Sequence, residues 1–510
     1  MVRRWVLVLV VSFACALVMV PMGSAQESPH ANPGWPMFHH DPLHTGLAPG
    51  TGTIVPAQGP QVRWAYQLVP EPVDVAAMRW ASSFPLGDLD GDGTLEVVVT
   101  SPERQPGLST RVVVLKDDPQ ADGGVRVLWQ MLIDGAEGGV DQYSAALADA
   151  DGDGLPDVLF SARDGYVRAV KGTDGSLIWQ YQTGRIMESG PMVDDLDGDG
   201  TLEVVQVTDC PMDNCNGSGS LIVLPLMSPS GRDNTPLWTL DLPWKADSAE
   251  PAIADLDPTD GASRKVILAG TWGGRLLAVW QDDRGQIIQS ELPLSDLDPS
   301  VPADSTTKVI RSSPLVVQEG DHSTVVFAWM PDWNIYSDTR WSAVDVRANM
   351  SAGTVEFTPR WTTTDNVWKS STALVPAAHG GPIVLSGTGI GLANGGGYGC
   401  DEVSGGVIAR RLDDGELAWS VDAGPGRGDM RSSIALADVD DDGRLEALIG
   451  TGCGGDLLAY DAITGAPEWQ MPLGPKTFGS PSIGDLNHDG HLEVVIGNYD
   501  GRVYALSGGS

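Results

Sequence analysis

The sequence predicts an all-β protein, an eight-bladed β-propeller whose ring is closed by a strand from the N-terminal side. Three observations carry this. A phrase of serine, apolar residues and evenly spaced acids recurs along the chain, and a tryptophan-bearing apolar run recurs after it. One run of that second type, Val62 to Leu68 around Trp64, stands alone ahead of the first phrase. Gly 63 and Pro 36 in 510 residues, with aromatics at 6%, suit many turns and short strands rather than long helices.

Before the repeats, the first 25 residues have the three parts of a secretory signal peptide. Arg3 and Arg4 form a basic start and Trp5 to Val20 an apolar run; Gly23-Ser24-Ala25 offers small residues for cleavage before Gln26. The run falls short of the ~20 residues a membrane span needs. The expected organisation is a signal peptide at 1–25, an N-terminal arm at 26–59 and a single propeller at 60–510. The expected location is secreted, extracellular or cell-surface, with the periplasm as an alternative.

The first phrase runs from Ser83 through Asp88 to Glu96 and on into Val97-Val-Val. Copies start at Ser144, Ser189, Ser433 and Ser480, and a damaged one lies at Asp255. The first acids, Asp88, Asp149, Asp195 and Asp255, are 46 to 61 residues apart, but Asp438 follows only after about three such intervals. Two units with lost loops therefore belong in that gap. Arg311-Ser-Ser-Pro-Leu-Val-Val leading to Gln318, and Ser371-Thr-Ala-Leu-Val-Pro leading to Ala377, fit the period and bring the count to eight. Each unit ends on an apolar strand, usually with Trp: Trp129, Trp179, Trp238, Trp361, Trp419 and Trp469. The last unit lacks its Trp strand, and the orphan at Trp64 completes it. Closure of this kind removes exposed sheet edges.

Within a phrase, acids at positions 1, 3 and 5, Gly at 6 and a carboxylate at 9 form a loop with a mechanism. Alternate side chains converge on one point, Gly allows the sharp turn, and position 7 contributes a backbone carbonyl. Such hard oxygen donors suit Ca²⁺ better than Mg²⁺ or Zn²⁺. Five loops fit: Asp88, Asp90, Asp92, Thr94 and Glu96; Asp149, Asp151, Asp153, Leu155 and Asp157; Asp195, Asp197, Asp199, Thr201 and Glu203; Asp438, Asp440, Asp442, Arg444 and Glu446; Asp485, Asn487, Asp489, His491 and Glu493. About five calcium ions are expected, each coupling metal binding to folding. At Asp255 and Asp257 an insertion moves the third acid to Asp260. Arg264 and Lys265 stand where the closing acid belongs, so this loop is expected to be empty or weak.

These phrases resemble the FG-GAP/VCBS repeat of integrin α-chain propellers and bacterial surface proteins. Other stretches resemble the PQQ-like (quinoprotein-type) repeat: Asp164-Gly-Tyr-Val-Arg-Ala-Val, Asp500-Gly-Arg-Val-Tyr-Ala-Leu, and Ala459 to Trp469. The opening Trp35 to Gly46 is similar to the arm that precedes PQQ-like propellers. The resemblance implies a propeller and calcium loops but no particular activity. Quinoprotein alcohol dehydrogenases stack their quinone on adjacent cysteines, which this chain does not have, so PQQ is not expected as a cofactor.

The net charge of −37, from 31 Lys+Arg against 68 Asp+Glu, excludes the basic face a nucleic-acid partner needs. Four cysteines follow the signal segment; of three possible pairings, Cys210–Cys215 with Cys400–Cys453 is favoured. His39, His40 and His44 lie close enough in sequence to suggest a transition-metal site, and their occurrence in the arm offers a structural alternative. Trp329, Trp333, Tyr336 and Trp341 suggest either a sugar-stacking surface or a local hydrophobic cluster. The functional expectation is a binding or scaffold propeller without catalytic residues, probing a protein or glycan ligand as a monomer. The ligand would sit on a loop face or at the central channel. The alternative is a calcium-dependent polysaccharide lyase.

Overall fold

Short alternating apolar runs punctuated by Asp-Gly turns have no way to bury themselves except as small sheets stacked face to face. In the computed structural model they do so as eight sheets. It describes residues 34–68, 83–101, 110–133, 144–212, 217–246, 249–257, 263–302, 307–332, 334–335, 338–350, 352–367, 369–389, 405–474, 476–477 and 479–509. The signal segment, Cys215, Cys400, Asp260, Trp333 and Tyr336 lie outside these residues. Among the described residues no helix is long and apolar enough to cross a membrane.

Seven of the sheets form blades in sequence order, beginning with innermost strands at Leu86–Gly87, Ala146–Ala148, Met192–Asp194, Ala252–Ala254, Leu315–Glu319, Ala373–Val375 and Ala435–Asp438. The two units without acidic loops are thus real blades, fifth and sixth. The eighth combines Ser482–Gly484, Glu493–Gly497 and Arg502–Ser507 with Gln61–Gln67, in which Trp64 pairs with Ala505. The ring closes as the orphan strand predicts. Arg63 on that strand then reaches the first blade, where its Nε and Nη2 each donate to Asp117 at 2.7 Å. A bidentate pair of this kind fixes orientation as well as position.

Tryptophans on the outer strands join one blade to the next. The indole N–H of Trp129 donates to Gly172 O at 2.6 Å, Trp179 to Leu226 O at 2.7 Å, and Trp361 to Leu412 O at 2.8 Å. The ring lies flat against a turn glycine of the next blade. At Gly465, with φ +71°, a Cβ would come within 2.4 Å of Trp419, so no other residue fits. These tryptophans are packing residues between sheets.

The recurring serine has an equally regular role. Ser313, Ser371, Ser433 and Ser480 each accept, through Oγ, the backbone N–H of the equivalent residue one blade back: Glu250 at 3.0 Å, Ser313 at 3.1 Å, Ser371 at 3.1 Å and Ser433 at 2.9 Å. A chain of hydroxyls therefore staples the inner strands around the axis.

The innermost strands line the axis of the ring, and the arm lies along them. Trp35 exchanges two backbone bonds with Leu86. The amides of Leu147, Ile253, Val316, Leu374 and Leu436 donate to the carbonyls of Pro36, Pro42, Leu43, Thr45 and Gly46, respectively, at 2.7–3.1 Å. Leu47–Thr51 then adds a parallel strand to the seventh blade. Six of eight innermost strands thus satisfy their axis-facing amides on the chain's own N-terminal arm. The central channel, expected as one place for a ligand, is filled by this arm.

The histidines belong to that filling. His39 and His44 are buried; both ring nitrogens of His39 lie 2.8 Å from backbone carbonyls, and His44 Nδ1 lies 2.9 Å from Pro314 O. Burial lowers the pKa of His44 to about 4. The transition-metal reading of this cluster gives way to a structural one. Of the two readings of the aromatic run, the local hydrophobic cluster holds for Trp329 and Trp341, which are fully buried on the strands His322–Met330 and Arg340–Asn349.

Candidate metal centres

Each acidic loop joins the innermost strand of a blade to its neighbour, and all five are built the same way. The first acid folds the turn. Asp88 Oδ2 accepts from Gly93 N at 2.9 Å, and Asp149, Asp195, Asp438 and Asp485 accept from Gly154, Gly200, Gly443 and Gly490 at 2.8–3.0 Å. The sixth residue must be Gly because its φ lies between 85° and 90° in all five loops: Gly93, Gly154, Gly200, Gly443 and Gly490. The fourth position also has positive φ, which Asp441 and His488 tolerate in the last two loops.

The fifth acid orients the seventh residue. Asp92, Asp153, Asp199, Asp442 and Asp489 accept the N–H of Thr94, Leu155, Thr201, Arg444 and His491 at 2.7–3.0 Å. Asn487, the one amide in the sets, donates to Asp489 at 2.8 Å.

The ninth acid closes the loop from the start of the next strand, with one oxygen anchored. Glu96, Asp157, Glu203, Glu446 and Glu493 accept from Leu89, Ala150, Leu196, Val439 and Leu486 at 2.7–2.9 Å. All five are buried. Burial, then neighbouring acids, raises Asp157 to about 6, Glu203 to about 7, Glu493 to about 8 and Glu446 to about 9. Burial likewise raises Glu96 to about 7, although Lys116 pulls against it.

Four loops bring three carboxylates together with oxygen atoms within 4.8 Å of one another: Asp88, Asp90 and Glu96; Asp149, Asp151 and Asp157; Asp195, Asp197 and Asp199; Asp438, Asp440 and Glu446. Such clusters repel themselves unless a cation or protons enter. Glu446 Oε1 is a telling case: it is buried and has no hydrogen-bond partner. An orphaned carboxylate oxygen aimed among other carboxylates fits a hard divalent cation. The expected donors are carboxylates, one amide and backbone carbonyls, that of His491 among them, with no thiolate or imidazole, which argues against a softer metal.

The damaged loop differs as expected at its closing position. Arg264 pairs with Asp283, and Lys265 reaches across to Asp194 of the third blade. Sequence reasoning missed the residues that face the closing acids from the adjacent strand. Glu96 stands opposite Lys116, and Glu446 opposite Asp461. Their signal is cross-strand register, which appears only once the hairpin is drawn. Away from the loops, Arg427 pairs with Asp456 at 3.1 Å, and Asp429 is buried against Arg431 at 2.5 Å.

Comparison with known proteins agrees with this geometry at the level of repeat and fold. The FG-GAP repeat model matches residues 478–506, which contain the last loop. No curated protein matches the sequence. The fold is similar to that of quinohemoprotein alcohol dehydrogenase from Comamonas testosteroni, with a TM-score of 0.56 and 14% identity over 94% of this chain and 82% of that one. The quinohemoprotein alcohol dehydrogenase ADHIIG from Pseudomonas putida HK5 gives 0.55 and 13% over 93% and 80%. Saccharomyces cerevisiae Sqt1 gives 0.53 and 9% over 81% and 93%. At such identities the likeness is one of fold alone.

Proposed function

We propose that this chain is an exported calcium-binding β-propeller that serves as a binding or scaffold module for a protein or glycan ligand. The observation that carries the calcium reading is the buried, unpartnered Glu446 Oε1 facing Asp438 and Asp440, in a loop architecture repeated five times. The ions are structural. They neutralise carboxylates that the fold packs together, and they fasten the turn at the inner end of the blades whose loops hold them. On this reading residues 1–25 are removed on export, and Cys210–Cys215 and Cys400–Cys453 are disulfides.

The binding role rests on where surface is left. With the arm filling the axis, a partner meets the loop faces and blade edges, on a strongly acidic body. Such a surface favours a ligand that is neutral or basic over a polyanion. PQQ has no place in this account, since the adjacent cysteines that hold it in dehydrogenases are missing from the sequence.

The test is a comparison of binding and turnover. Purified protein is applied to glycan and protein arrays, and separately incubated with pectin-derived polysaccharides while the absorbance of unsaturated sugar ends is followed. Saturable capture with flat absorbance is expected. Steady formation of unsaturated product would replace the scaffold reading with that of a polysaccharide lyase.

A further inference from the structure

The first loop differs from the others in what already occupies it. Lys116, on the strand Thr110–Asp117, stands opposite Glu96 in register, so its side chain rises on the same face as the closing acid. Its Nζ lies 2.6 Å from Asp90 Oδ2, 2.8 Å from Asp92 Oδ2 and 2.7 Å from Glu96 Oε1. These are the third, fifth and ninth positions of the loop. The side chain is only 7% exposed, so the ammonium is enclosed by the acids and not draped over them.

We propose that Lys116 is the resident cation of the first loop, and that this loop holds no metal. The ammonium donates to three carboxylate oxygens at 2.6–2.8 Å and so gives the cluster one fixed positive charge, although Asp90 Oδ1 stays buried without a partner beside it. A divalent ion bound by the same oxygens at about 2.3–2.6 Å would sit almost on top of it. Two buried cations that close repel strongly, so a metal ion could enter only by expelling the ammonium from three hydrogen bonds.

The second loop shows the contrast. Lys171 approaches Asp151 and, at 3.5 Å, Asp153, but its side chain is 37% exposed and Asp157 is not among its partners. It lies at the rim and leaves the centre open. In the fifth blade the loop has shrunk to a turn. Arg360 there bridges Glu319 at 3.0 Å and Asp345 at 2.6 Å, and is 15% exposed. In the first and fifth blades alike, a basic side chain held by the fold pairs with carboxylates of neighbouring strands.

The inference rests on calcium binding at the remaining loops, and the experiment separates the two. Bound calcium per chain is counted by elemental analysis of the full protein after dialysis, for the wild type, Lys116→Met and Asp90→Asn. About four ions are expected in the wild type, one more in Lys116→Met, and no change from wild type in Asp90→Asn. Loss of one ion in Asp90→Asn, or no gain in a folded Lys116→Met, overturns the proposal. If Lys116→Met does not fold, Asp90→Asn alone decides. A wild type without ions would sink the calcium reading of the other loops, while a gain of one ion in Lys116→Met would still uphold the assignment of Lys116.

Discussion

Deleting residues 34–52 is expected to abolish the single cooperative unfolding transition and leave a chain that limited proteolysis cuts between blades. The arm is not an appendage. Its removal strips partners from the amides of Leu86, Leu147, Ile253, Val316, Leu374 and Leu436 on the innermost strands, all at buried residues except the partly buried Leu374. Each buried amide left unsatisfied costs about 1–3 kcal/mol, and six of them together rival the whole stability of an ordinary domain. The buried Trp35, Phe38 and His44 leave an axial void as well. A milder variant, Trp35→Ala, should lower stability by about 3–5 kcal/mol in denaturant unfolding while keeping one transition. If the deletion variant melts like the full chain, the arm does not hold the ring together.

Metal removal should be the second large effect, and its size should depend on pH. An ion at one hundred times its Kd stabilises by about 2.7 kcal/mol per site, so several loops together contribute on the order of 10 kcal/mol. In the metal-free protein the closing acids have pKa values raised by burial, to about 6 at Asp157, about 7 at Glu203, about 8 at Glu493 and about 9 at Glu446. A folded-state pKa above the unfolded one means stability that is fully present below about pH 4 and lost as pH rises through the folded values. Chelated protein should therefore lose stability steadily between about pH 5 and pH 9. Calcium reverses this, because it replaces the protons and binds better as they leave. The rise in Tm on adding calcium should be small near pH 5 and large near pH 8. An equal rise at both, measured by thermal melting with chelator or excess calcium, would separate the ions from these acids.

Much of the architecture was legible because it repeats. The phrase around Asp88 recurs with its turn glycines, and a missing copy leaves a measurable gap, which is how the fifth and sixth blades came to light. Trp64 revealed ring closure because a Trp strand without a blade has only one vacant place to go. The loop geometry was equally open, since acids at alternate positions in the sequence are the ones that the turns bring together.

What the sequence concealed lies in relations between distant backbones. The arm binds through its own carbonyls to amides spread over six blades, and backbone bonds leave no side-chain pattern to read. Lys116 sits 20 residues from Glu96 and meets it only through strand register. The recurring serines were visible, but their role depends on which blade edge each hydroxyl faces. Trp329 and Trp341 left two readings open for a related reason: a run rich in aromatics reads alike whether it lines a surface or fills a core, and here it fills the core.

The most direct measurement is the crystal structure of the purified protein with anomalous scattering used to place and identify ions. About four calcium sites are expected, one each in the loops beginning at Asp149, Asp195, Asp438 and Asp485. Well-ordered loops holding only water or protonated carboxyl pairs would contradict the account.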